Sequence, residues 1–113
     1  MSIPEYDIHA RGMTVDEALA RLDRIVSASR GGGAPVFAVV TGYGSSGGTA
    51  MIKSAVISAC RRYVRQRHIS GFLDGEYAGD IFSAQYQAFP AADRIPVSYK
   101  RSPNPGLVFI STR

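Results

Sequence analysis

The sequence predicts an α/β fold, a two-layer sandwich in which a four-stranded mixed sheet carries two main helices on one face, in the order β-α-β-α-β-β, with an insertion over about residues 74–102 before the last strand. Three observations predict it. Residues 14–30 and 49–67 each carry apolar residues at helical spacing. Val36 to Thr41 and Leu107 to Ser111 are short, nearly continuous apolar runs of the kind that form buried strands. Strand and helix signals alternate, which places the helices against a sheet rather than in a bundle. At 113 residues, 1–113 reads as a single domain that can bury a core without metal or disulfide staples.

Each element has a local reason. Glu5-Tyr6-Asp7-Ile8-His9 alternates as a short strand, with Tyr6 and Ile8 on one face and Asp7 and His9 on the other. Thr14-Val15-Asp16-Glu17 is a capping-box pattern, with Thr14 as N-cap and Glu17 reaching back from the third helical position. Val15, Ala18, Leu19, Leu22, Ile25 and Val26 form the stripe of that helix, and Gly31-Gly32-Gly33 ends it. The second helix, from about Thr49 to Arg67, has its stripe at Ile52, Ala55, Val56, Ala59, Cys60, Tyr63 and Val64. Arg61, Arg62, Arg65, Arg67 and His68 gather in its last turns, where cations complement the negative end of the helix dipole. Ile69 to Leu73 reads as the third strand, and the turn Pro103-Asn104-Pro105-Gly106 leads into the fourth. Within the insertion, Tyr77, Ile81, Phe82, Tyr86 and Phe89 are expected to supply the apolar side of a short helix bounded by Gly79 and Pro90.

Composition narrows the function classes. Hydrophobic residues are 45% and charged residues 19%, as in a soluble globular protein, and no apolar run approaches the roughly 20 residues of a membrane helix. The first residues lack the basic and apolar segments of a secretory signal, and the lone Cys60 excludes an internal disulfide; both fit a reducing, cytoplasmic setting without membrane partners. The net charge is +4, with a pI near 9.6. Arginines make up eleven of the thirteen cations. Their planar forks suit phosphate and bases, although codon bias accounts for the excess equally well.

Candidate chemistry concentrates at two places. Thr41-Gly42-Tyr43-Gly44-Ser45-Ser46-Gly47 follows a strand and precedes a helix, so backbone amides of Gly42, Gly44 and Gly47 can turn toward a phosphate with the helix N-terminus behind them. Tyr43 could stack on a base or sugar, and Ser45 and Ser46 could donate to phosphate oxygens. A plain structural turn is the alternative. Asp7 and His9, at i and i+2 of a strand, can place a carboxylate beside an imidazole that titrates near neutral pH. Such a pair is also common as a merely hydrogen-bonded strand end. Arg11, Lys53, Lys100 and Arg101 are the candidate phosphate-contacting cations around the loop.

Other motifs carry less. Gly42-x-Gly44-x-x-Gly47 fits a dinucleotide fingerprint, but about 20 residues further on the chain shows Arg61 to Arg67 where a ribose-binding acid is expected. No Walker motif occurs, and two histidines with one cysteine lack zinc-ligand spacing. Cys60 lies in the helix stripe as a core thiol; Asp74, Glu76 and Asp80 read as loop carboxylates that could alternatively assist a metal.

The order Asp7-Ile8-His9, then Gly12-Met13-Thr14-Val15-Asp16-Glu17-Ala18-Leu19, then Thr41-Gly42-Tyr43-Gly44 before a helix resembles the Smr family, the small MutS-related domain. The resemblance covers residues 5 to about 73 and the last strand. It implies a fold similar to the C-terminal domain of bacterial translation initiation factor three, and nucleic acid, DNA or RNA, as partner. Several members nick or cleave it, often with a divalent metal; here that implies an endonuclease acting through Asp7 and His9, with Mg or Mn and no organic cofactor. A non-catalytic nucleic-acid-binding module and a protein-interaction domain using the aromatic insertion remain as alternatives. The chain departs from the family in a longer His9-to-Met13 step and in the thirty-residue insertion.

Overall fold

The computed structural model describes residues 2–8, 13–42 and 47–113, with the backbone alone for 47–50. In chain order it contains β1 (Glu5–Asp7), α1 (Val15–Arg30), β2 (Val36–Val40), α2 (Gly47–Arg65), β3 (Gly71–Asp74), a 3-10 turn (Gly75–Tyr77), α3 (Ala84–Ala88), a second 3-10 turn (Ala92–Arg94), α4 (Val97–Arg101) and β4 (Leu107–Ser111). The sheet order is β1-β2-β4-β3. β1 runs parallel to β2, whereas β4 is antiparallel to both β2 and β3. The four-stranded mixed sheet and its element order are therefore those the sequence predicts.

The helix signals act as expected. Thr14 caps α1 through Glu17 N–H at 3.1 Å, and the Glu17 side chain returns toward the Thr14 backbone, so orphan donors at the helix start are satisfied reciprocally. Gly31 follows α1 as its C-cap. α2 starts two residues earlier than predicted and stops at Arg65. Beyond it, Arg67 takes a left-handed φ of 60°, its N–H bonds Val64 O at 3.1 Å and His68 N–H bonds Tyr63 O at 2.9 Å. This is the Schellman closure with arginine where glycine is usual, and the His68 ring stacks on Tyr63 across it.

Both sheet faces are covered, which corrects the two-layer expectation to three layers. Alternation sends Phe37, Val39, Val108 and Ile110 to one side, where they bury Leu22, Val26, Val56, Ala59 and Cys60 of α1 and α2. It sends Val36, Ala38, Leu107 and Phe109 to the other side, where Ala78, Phe89, Ala91 and Ile95 of the 75–101 segment close over them. A central strand whose two faces are both apolar needs cover on both. The predicted insertion is thus a structural layer.

Three sequence expectations shift in detail. Ile69 is buried but precedes β3, because the Arg67 turn delays strand pairing to Gly71. Within the insertion, Tyr77 and Tyr86 pack against the second core and Phe89 is part of it, but Ile81 and Phe82 do not face it: they are 53% and 85% exposed, since the helix forms only at Ala84–Ala88. Val64 also leaves the α2 stripe and is exposed. Among the described residues no helix is long and apolar enough to cross a membrane.

Candidate functional site

The parallel pairing of β1 with β2 decides where the two sequence motifs meet. Asp7 is in register with Val40, and Ile8 N–H donates to Val40 O at 3.1 Å, which extends the ladder past the strand end. Neighbouring strands lie about 4.8 Å apart. Consequently the chain that leaves β1 after Asp7 and the chain that leaves β2 at Thr41 emerge side by side from one edge of the sheet. Asp7 itself is exposed, on the face opposite to the buried Ile8. His9, Arg11, Tyr43, Gly44, Ser45 and Ser46 lie outside the described residues.

A third segment holds this edge together. Thr41 N–H donates to Gly106 O at 2.8 Å, and the Thr41 hydroxyl, fully buried, lies 3.3 Å from both Gly42 O and Gly106 O. Thr41 therefore positions the loop; its hydroxyl is not presented to a ligand. Gly42 adopts φ +80°, a conformation that a side chain would strain, so glycine is required for the chain to turn away from the sheet here. Gly106 meets it directly: a Cβ at Gly106 would lie 3.3 Å from Gly42 C and 3.1 Å from Asn104 Oδ1. The Asn104 side chain in turn accepts from Gly106 N–H at 2.8 Å. The loop before β4 is thus shaped by an Asx turn to fit against Gly42.

Lys53 comes to the same edge from the second turn of α2. Its ammonium donates to Pro105 O at 2.7 Å and pairs with the Asp74 carboxylate at 3.1 Å. Asp74 ends β3 and also caps the following turn through Glu76 N–H at 3.0 Å. Lys53 is therefore a strut between α2, β3 and the β4 entry, with about a fifth of its side chain exposed. Gly47 begins α2, so the positive end of that helix is directed at this edge.

The remaining candidate cations stand just before the 104–106 loop. Lys100 and Arg101 end α4 in the insertion layer, and the Lys100 ammonium sits 5.7 Å from the centre of the Tyr86 ring. Cys60 is buried in the helix-side core, and burial pushes its thiol up to about 12, as befits packing rather than nucleophilic chemistry. Among the described residues no three His, Cys, Asp or Glu side chains converge as a metal-binding group. The sheet, with antiparallel β4 beside β2, also lacks the parallel two-half arrangement of a dinucleotide-binding domain.

Sequence reasoning missed the contribution of residues 104–106 and of the Lys53–Asp74 pair. An asparagine two residues before a glycine was the available sign of the Asx turn. Nothing local joins Lys53 to Asp74, which are brought together only by the α2-to-β3 crossover.

Searches of curated proteins and of solved structures give no match. A family model described as the Smr domain matches residues 7–80, opening on Asp7 and ending in the insertion, so β4 lies outside the matched span. With well over half of the chain matched, and with the matched strand, loop and helix forming the edge described above, this protein belongs to the Smr domain family.

Proposed function

We propose that the chain binds nucleic acid at the edge where β1 and β2 end, and that it cleaves a phosphodiester bond there with Asp7 and His9. One observation carries the reading: the parallel register of Asp7 with Val40 delivers the Asp-x-His strand and the Thr41-Gly42 loop to the same edge. In open α/β sheets this carboxyl end of parallel strands is where ligands bind. Amides of the 42–47 loop and the start of α2 hold one phosphate, while Arg11, Tyr43, Ser45 and Ser46 complete the contact. His9 accepts the proton of the attacking water, and the Asp7 carboxylate orients the imidazole and stabilises its charged form.

A divalent ion of the Mg or Mn type needs only one or two protein carboxylates when substrate phosphates complete its shell, and Asp7 fits that role at this edge. When bound it would supply positive charge to the scissile phosphate. The likeness to the C-terminal domain of translation initiation factor three is part of the same proposal, supported by the observed element order.

The test is a cleavage assay on supercoiled plasmid and structured RNA with Mg or Mn, run beside anisotropy binding. Asp7→Asn and His9→Ala are expected to abolish product, a loss of at least 100-fold, while affinity stays within about threefold. Cleavage that persists in both variants refutes the catalytic assignment. Binding without product by the wild-type chain leaves the non-catalytic module.

A further inference from the structure

The charge of this chain is divided along its length. Residues 24–73 hold seven of the thirteen cations and no aspartate or glutamate, whereas the remaining residues hold all nine carboxylates. α2 lies wholly inside the acid-free stretch. On its outward side Ser54, Ser58, Arg61 and Arg65 follow at i, i+4, i+7 and i+11, all exposed, so they form one polar stripe along the helix. Arg62 and Arg67 flank its far end, and no ion pair with a carboxylate engages Arg61, Arg65 or Arg67 among the described residues. The carboxylate that reaches this end of α2 is Asp23 of α1, and it accepts a hydrogen bond from Tyr63 Oη at 3.0 Å.

A dipole argument accounts for one or two cations in the last turn, but this end of α2 carries three, Arg61, Arg62 and Arg65, with Arg67 just beyond it. Nor is the cluster required by the core, since its members are exposed. Geometry gives it a use. α2 has 19 residues, and a rise of about 1.5 Å per residue separates its two ends by about 27 Å. Its start is at the candidate phosphate site and its basic end is that far away. Along a duplex the same span is about eight base pairs. The stripe offers arginine and serine without an exposed aromatic, which suits phosphate contacts on a duplex and not the base stacking used on single strands.

We propose that the outward stripe of α2 is a second phosphate-contact surface, which grips a double-helical backbone about eight base pairs from the site at the β1–β2 edge. This rests on the nucleic-acid reading above and adds a substrate class, a duplex longer than the site itself. DNA and RNA duplexes share the chemistry the stripe recognises.

The probes are fluorescein-labelled DNA and RNA hairpins of one sequence with 6-bp or 16-bp stems, titrated by anisotropy over a salt series. The wild-type chain is expected to bind the 16-bp stem on the order of tenfold more tightly than the 6-bp stem. In Arg61→Gln/Arg65→Gln the slope of log K against log salt should fall by about 1.8, which corresponds to roughly 30-fold weaker binding at 0.15 M relative to 1 M salt. The advantage of the long stem should vanish with it. Arg61→Lys/Arg65→Lys should restore the slope, which separates charge from folding. An unchanged slope and stem ratio in the glutamine variant overturns this proposal while leaving the site reading intact. Wild-type protein that binds none of the hairpins and no single strand overturns both. The DNA and RNA arms show which duplex is preferred.

Discussion

The two faces of the sheet are buried equally well by different means. On one face the 16-residue α1 and the 19-residue α2 each contribute a stripe of residues at helical spacing, so Ala18, Leu22 and Val26, then Ile52, Val56, Ala59 and Cys60, arrive in series. On the other face cover comes from separate points: Ala78 after one 3-10 turn, Phe89 after α3, Ala91 and Ile95 on either side of the second turn. Close backbone approaches substitute there for long helices. A Cβ on Gly75 would lie 2.8 Å from Leu107 O and closer still to Asn104 O, and one on Gly71 would lie 2.6 Å from Pro90 Cδ. Tyr99 joins α4 to the sheet edge-on against Phe109, at 5.2 Å, and through a hydrogen bond to Glu5. A regular layer is thus specified by repetition, and an irregular one by single contacts that have no substitutes.

The largest effect that tests this contrast comes from the two fully buried phenylalanines on opposite faces, Phe37 and Phe109. Phe37→Ala and Phe109→Ala should each cost about 3–5 kcal/mol in urea unfolding. A cost for Phe109→Ala below half that of Phe37→Ala would show that the point-by-point layer yields into the cavity. Next, Gly75→Ala should destabilise by about 3 kcal/mol, because the obstacles are backbone oxygens of the β4 entry and cannot rotate away. A neutral result there would mean that the turn rides loosely on β4. The smallest effect belongs to the helical face: Thr14→Ala removes the capping box of α1 and should cost about 1 kcal/mol, read by the same unfolding. A loss as large as that of the phenylalanines would show that α1 depends on its cap more than on its stripe.

The same contrast explains what the sequence made legible. Apolar spacing in 15–30 and 47–65 and apolar runs at 36–40 and 107–111 are repeated signals, each confirmed by several residues, and they located the helices and central strands. The apolar residues of the insertion keep no sustained helical or alternating period, so Phe82 and Phe89 look alike in sequence although one is exposed and the other buried. At the candidate site, Asp7 and the 41–42 loop were legible because their types and order are restrictive. The Gly106 carbonyl that receives Thr41 was not, because 65 residues separate the two and only strand order brings them together. Arg67 is a further case: nothing in the sequence marks an arginine that will take φ 60°.

Strand order also has a temporal side. β4 is made after β1, β2 and β3, yet it occupies an interior place between β2 and β3. Until it emerges during synthesis, β2 and β3 both expose unpaired edges, and the Thr41 amide has no carbonyl to receive it. The nascent chain therefore carries its Asp7 and glycine-loop segments for some time before the anchor of the loop exists. Nucleic acid met at that stage, including the ribosome's own, would encounter the segments proposed to bind phosphate before their geometry is set.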